Sequence, residues 1–140
     1  MKNIIHVYIM IASVIFSLIV FVIILFPEKK VLTCIKENGD WYTAYEKYVF
    51  TGYRNTIKLE ERYCKMIDDK NHGIINKYYE ILKDDETVQD IKIVNDTIEW
   101  YQKRSMVNYE NLNNCKDEKG NILFSKVKKY FESIDYICNY

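Results

Sequence analysis

The stretch Val31–Ile67, VLTCIKENGDWYTAYEKYVFTGYRNTIKLEERYCKMI, decides how this chain folds. It is rich in β-branched and aromatic residues, and turn-forming clusters at Asn38-Gly39-Asp40 and Thr51-Gly52-Tyr53-Arg54-Asn55 cut it into three runs. Tyr42, Ala44, Glu46, Tyr48 and Phe50 recur with period two, as do Ile57, Leu59, Glu61 and Tyr63, which is the repeat of a strand. These runs predict three antiparallel strands over 31–38, 41–50 and 56–67, joined by hairpins. Asn38-Gly39 is the strongest turn signal, because both central positions of a type I′ turn need positive φ.

Downstream the period changes. Asp68-Asp69-Lys70-Asn71 offers capping side chains ahead of Ile74, Ile75, Tyr78, Ile81 and Leu82, whose spacing is that of an amphipathic helix over about 70–83. Val88–Val94 and Thr97–Tyr109 flank Asn95-Asp96 and predict a second hairpin. Residues 110–120 are Asn-, Lys- and Asp-rich and read as a loop carrying Cys115. A last helix is expected from Phe124 to Ser133, ending at Asp135-Tyr136, where Asp can take the left-handed conformation that usually calls for Gly. The order β-β-β-α-β-β-α defines an α+β domain, an antiparallel sheet packed with two helices.

Upstream, Ile4–Phe26 contains no full charge, and only His6, Ser13 and Ser17 are notably polar. At about 1.5 Å per residue a helix of this length reaches roughly 34 Å, enough to cross a hydrocarbon layer of about 30 Å. The expected division is a short tail over 1–3, a transmembrane helix over 4–26 and an extracytoplasmic domain over 27–140. A cleaved secretory signal is disfavoured, since its apolar core is usually shorter and ends in an Ala-x-Ala-like site. Lipidation at Cys34 is disfavoured because Thr33 stands where a smaller residue is usual and Glu28-Lys29-Lys30 intervenes.

Lys2 on one side and Lys29 and Lys30 on the other nearly balance, so flanking charge gives orientation little weight. Cysteine usage points outward. Cys34, Cys64, Cys115 and Cys138 all lie beyond the apolar run, as a disulfide framework in an oxidising compartment would have them. Their spacing excludes a CxxC zinc or redox motif, and the three ways of pairing four Cys stay open.

Composition excludes several activities. Twenty basic residues balance twenty acidic ones, so the chain lacks the positive excess that nucleic acid demands. Gly39, Gly52, Gly73 and Gly120 are isolated, and none builds a phosphate-binding loop. His72 is the only His beyond the apolar run and reads as a turn or capping residue. Glu60-Glu61, Asp68-Asp69 and Asp84-Asp85-Glu86 lack Ca²⁺-loop spacing and read as solvated turns. Asn95-Asp96-Thr97 matches a glycosylation sequon, but the hairpin turn accounts for Asn and Asp without a glycan. No catalytic residue, cofactor or metal site is expected. Thirteen Tyr, twelve of them beyond the apolar run, serve sheet packing or a binding face.

Cys34-Ile35-Lys36-Glu37-Asn38-Gly39, Tyr45-Glu46-Lys47-Tyr48-Val49-Phe50 and Lys128–Cys138 resemble the YehR-like lipoproteins of low-G+C Gram-positive bacteria and their membrane-anchored relatives. The resemblance covers about residues 31–138. It implies an extracytoplasmic domain bracketed by an early and a final Cys, hence pairing of Cys34 with Cys138 and of Cys64 with Cys115. Asp135 where relatives commonly have Gly, Leu123 in place of a better helix cap, and a span in place of a lipid are departures. The resemblance implies no reaction. The expected role is a non-enzymatic, membrane-anchored binding domain for a protein, peptide or polymer of the cell envelope. An accessory single-pass subunit of a larger membrane complex is the alternative.

Overall fold

The computed structural model describes residues 1–25, 27–37, 43–68, 73–106 and 112–140. The Asn38-Gly39-Asp40 turn, Trp41, Tyr42, His72 and the capping segment beyond Asp68 lie outside the described residues, as do Phe26, Tyr109 and Glu110.

The apolar run forms helix α1, Lys2–Leu25, none of whose residues is buried. It is long and apolar enough to cross a membrane, a property that secretory signals near an amino terminus share. Within it, the Ser17 hydroxyl donates to the Ser13 carbonyl at 2.9 Å, so the hydroxyl is satisfied inside its own helix.

Six strands follow: β1 Lys29–Glu37, β2 Thr43–Tyr53, β3 Thr56–Ile67, β4 Val88–Val94, β5 Thr97–Ser105 and β6 Ile137–Asn139. They form one antiparallel sheet in the order β4-β5-β3-β2-β1-β6. Helices α2, Ile74–Leu82, and α3, Phe124–Ser133, complete the α+β fold. The short β6 is an addition to the expected order, and β2 runs to Tyr53, which contracts its turn to Arg54-Asn55. Arg54 takes φ 57° there.

The extension of β2 depends on one glycine. The register slips between Thr51↔Leu59 and Gly52↔Ile57, so Lys58 is an extra residue on β3. At this bulge a Cβ on Gly52 would stand 2.0 Å from the Thr56 carbonyl oxygen, closer than any side chain permits. The bulge also returns Ile57 to the core while Leu59, Glu61 and Tyr63 point to the opposite face. The alternation read from Ile57 to Tyr63 is therefore split across both faces.

Both helices lie on one face of the sheet, and the core beneath them is in two parts. Leu32, Phe50, Ile57, Ile122, Phe124, Val127 and Phe131 form the cluster under α3. Met66, Leu82, Ile98 and Trp100 form the other, with Tyr78 of α2 stacked on Trp100 at 5.9 Å. Helix α2 begins later than the expected position 70, at Ile74 after N-cap Gly73 in the left-handed region (φ 72°) and without an N-cap side-chain bond, while the Asp68 carboxylate accepts from the Ile74 amide at 3.1 Å. Helix α3 starts at Leu123 without a side-chain cap, and Asp135 after its end takes φ 70°.

Cys34 and Cys138 stand directly opposite on β1 and β6, with Cα atoms 4.1 Å apart, and form a disulfide. Cys64 and Cys115 do not: both are buried free thiols. Cys64 belongs to the cluster beneath α2 and Cys115 to the one beneath α3. Cys115 sits in a 3-10 turn, Asn113–Cys115, and its carbonyl accepts from Leu123, which bridges to Thr56. Thr56 and Cys64 stand eight positions apart along β3, roughly 25 Å, far outside the reach of a disulfide.

Candidate functional site

The two faces of the sheet differ in kind. Between the two apolar clusters the helix-covered face carries a polar seam. Glu46 accepts through Oε1 from Arg62 Nε at 2.9 Å and Nη2 at 2.5 Å, and through Oε2 from the Tyr136 hydroxyl at 2.8 Å. The Arg62 guanidinium also lies 5.3 Å from the centre of the Tyr48 ring. Burial, reinforced by Glu46, holds the Tyr48 and Tyr136 phenols well above their usual range. Burial likewise pushes the Cys64 thiol up to about 11. A thiol raised in this way is a poor nucleophile at neutral pH.

On the same face, Gln102 donates to Asp85 Oδ2 at 3.2 Å and to Thr87 Oγ1 at 3.3 Å, and accepts from Trp100 Nε1 at 3.3 Å. Asp85 and the 84–86 acids thus belong to a hydrogen-bonded turn before β4, as the sequence suggests. Every charge in the seam has a partner, which makes it a device for holding α3 and the strands together.

Among the described residues no helix lies on the other face. Three cross-strand rows occupy its centre. Tyr45, Lys65 and Glu99 form one row, Lys47, Tyr63 and Tyr101 the next, and Val49, Glu61 and Lys103 the third. The Tyr45 and Tyr63 rings meet edge to face at 5.7 Å. The Tyr63 phenol lies beside the Glu99 carboxylate, and that of Tyr101 beside Glu61. Partial burial and these carboxylates raise both phenols above their ordinary pKa. Tyr45, Lys47, Val49, Glu61, Tyr63 and Tyr101 line a shallow concavity of about 500 Å³.

The sheet's edges are less suited to receiving a partner strand than this face is to receiving a partner surface. β6 has three residues and is clamped by the disulfide, while β4 is bulged between Val88 and Asp90 and carries Asp90 and Lys92. Short, bulged and charged edges resist the addition of a further strand. Of the two contacts suggested by the sequence, exposed strand edges and tyrosine-rich faces, the face is the developed one.

Sequence reasoning identified the tyrosine enrichment but not which tyrosines share a face. Tyr48 and Tyr136 go to the seam, Tyr78 to α2, and Tyr45, Tyr63 and Tyr101 to the open face. The assignment turns on register, which the bulge at Lys58 sets. Among the described residues no group of His, Cys, Asp and Glu is arranged to hold a metal ion. Comparison with protein-family models, with curated proteins and with solved structures gives no significant match.

Proposed function

We propose that this chain is a membrane-anchored, extracytoplasmic binding domain that is not an enzyme, and that its open sheet face receives a segment of a protein partner. The observation that carries the reading is the Tyr45–Tyr63–Tyr101 surface, in which the Tyr45 and Tyr63 rings already pack edge to face and the Tyr63 and Tyr101 phenols lie beside Glu99 and Glu61 before any partner arrives. Rings fixed in advance lose little rotamer freedom on contact. Lysines and glutamates alternate around them, a pattern suited to a polypeptide of mixed charge and unsuited to a polyanion.

The anchor reading rests on the length of α1 and on the charged segment Glu28-Lys29-Lys30 immediately after it. The extracytoplasmic reading draws on the Cys34–Cys138 disulfide, a bond favoured in oxidising compartments, and on the resemblance to YehR-like proteins.

A photo-reactive residue at Val49 of the full chain, in its native cells, tests the site. A discrete adduct is expected at Val49, absent when the same residue replaces Ile81 on the outer side of α2, and lost when Tyr63→Ala and Tyr101→Ala are combined. An adduct indifferent to both tyrosines would sink the proposal. Cross-linking confined to α1, with the same probe at Ser13, would favour the accessory-subunit reading.

A further inference from the structure

At the junction of α1 and the sheet lies a second concavity, of about 730 Å³. Its walls are of two kinds. Ile23 and Ile24, from the last turn of α1, form an apolar side, and Lys29, Lys30 and Arg54 supply three cations against the single carboxylate of Glu28. Arg54 comes from the β2–β3 turn, thirty residues away, and its guanidinium reaches back to the Ile24 carbonyl at 3.5 Å. That contact places a cation at the carboxyl end of α1, where the helix carries its partial negative charge.

Lys30 is held between two rings, its ammonium 4.4 Å from the centre of Tyr140 and 5.2 Å from that of Phe124. Lys29 and Arg54 are both exposed. The left-handed φ of Arg54, which only a tight turn maintains, sets this guanidinium beside α1.

We propose that this concavity binds the headgroup of an anionic phospholipid, with its phosphate between Lys29 and Arg54 and the upper part of an acyl chain against Ile23 and Ile24. The inference rests on the reading of α1 as a retained anchor, which sets Ile23 and Ile24 at the rim of the hydrocarbon layer and the three cations at headgroup depth. Arginine suits phosphate because its fork of donors can engage two oxygens at once. The apolar wall distinguishes a lipid from free phosphate, which would gain nothing from it.

The test uses the full chain in nanodiscs of equimolar phosphatidylglycerol and phosphatidylcholine, with lipid retained after release measured by native mass spectrometry. Preferential retention of phosphatidylglycerol is expected. Lys29→Gln and Arg54→Gln should each reduce that preference by roughly fivefold, the scale of one basic residue at an anionic surface. Lys92→Gln, at the far end of the sheet, should leave it unchanged. Equal retention of the two lipids, or a preference that both variants keep, would overturn the site. Abolition of the preference by inorganic phosphate would reassign it to a soluble anion and overturn the lipid assignment. Release of the native chain from its membranes by alkaline carbonate would remove the anchor reading itself, an outcome distinct from integration without lipid preference.

Discussion

Asp135 shows how much a single residue's backbone can carry. It holds φ 70° immediately after α3, so that the chain reverses into β6. Non-glycine residues find this region costly, Asp less so than most. Asp135→Gly is therefore expected to stabilise the domain by about 0.5–1 kcal/mol, read as a higher midpoint in urea unfolding. Cys64 makes the complementary case for side chains. Its thiol is raised from 9.0 to about 11 by burial, so the folded state retains a proton that the unfolded chain releases. The associated stability is intact below the ordinary thiol pKa and declines as pH climbs through the folded value. Unfolding midpoints measured from pH 8 to about 11 should drop, and Cys64→Val should drop less. The residual slope in that variant reports the other groups shifted in the same direction, Tyr48 and Tyr136 together with Tyr63, Tyr101 and Cys115. Asp135 could be identified from sequence because positive φ has a short list of tolerant residues. The Cys64 environment could not, since Glu46 meets it only through the pairing of β2 with β3.

Elements with a long repeat were the legible ones. α3 has the bounds its apolar spacing predicts, and the Asn95-Asp96 turn separates β4 from β5 as expected. β6 was not legible, because three residues are too few to show a period of two. Its place is fixed by pairing with β1 and by the Cys34–Cys138 bond. That bond closes a sequence separation of 104 residues. On the chain-entropy account, its loss should lower stability by about 4–5 kcal/mol. Cys34→Ser with Cys138→Ser, followed by urea unfolding, checks the magnitude. Hydrogen exchange should show β6 opening before β2 and β3. A change below about 1 kcal/mol would mean that β6 is held by strand pairing alone. The Cys64–Cys115 pairing implied by the family resemblance failed at this same scale, because the two thiols sit in clusters under different helices.

At the scale of the molecule, the sheet separates two tasks. One face is occupied by α2, α3 and the seam that joins their clusters, and the other remains available. Composition announced the tyrosines, but only strand order could divide them between packing and presentation. Removing Tyr63 and Tyr101 should therefore abolish partner contact while leaving most of the stability, since both are half-buried outside the two apolar clusters. A cooperative unfolding transition retained in that double variant, measured by circular dichroism, separates recognition from folding.

The clasp between the first and last strands also has a mechanical meaning. A pull arriving through α1 enters the sheet at Lys29, and β1 can be peeled from β2 only as far as Cys34 before β6 must come with it. Five residues of slack precede a covalent stop. A domain held at a surface and tugged by whatever it grips would yield slightly at its root, then resist with two strands in place of one.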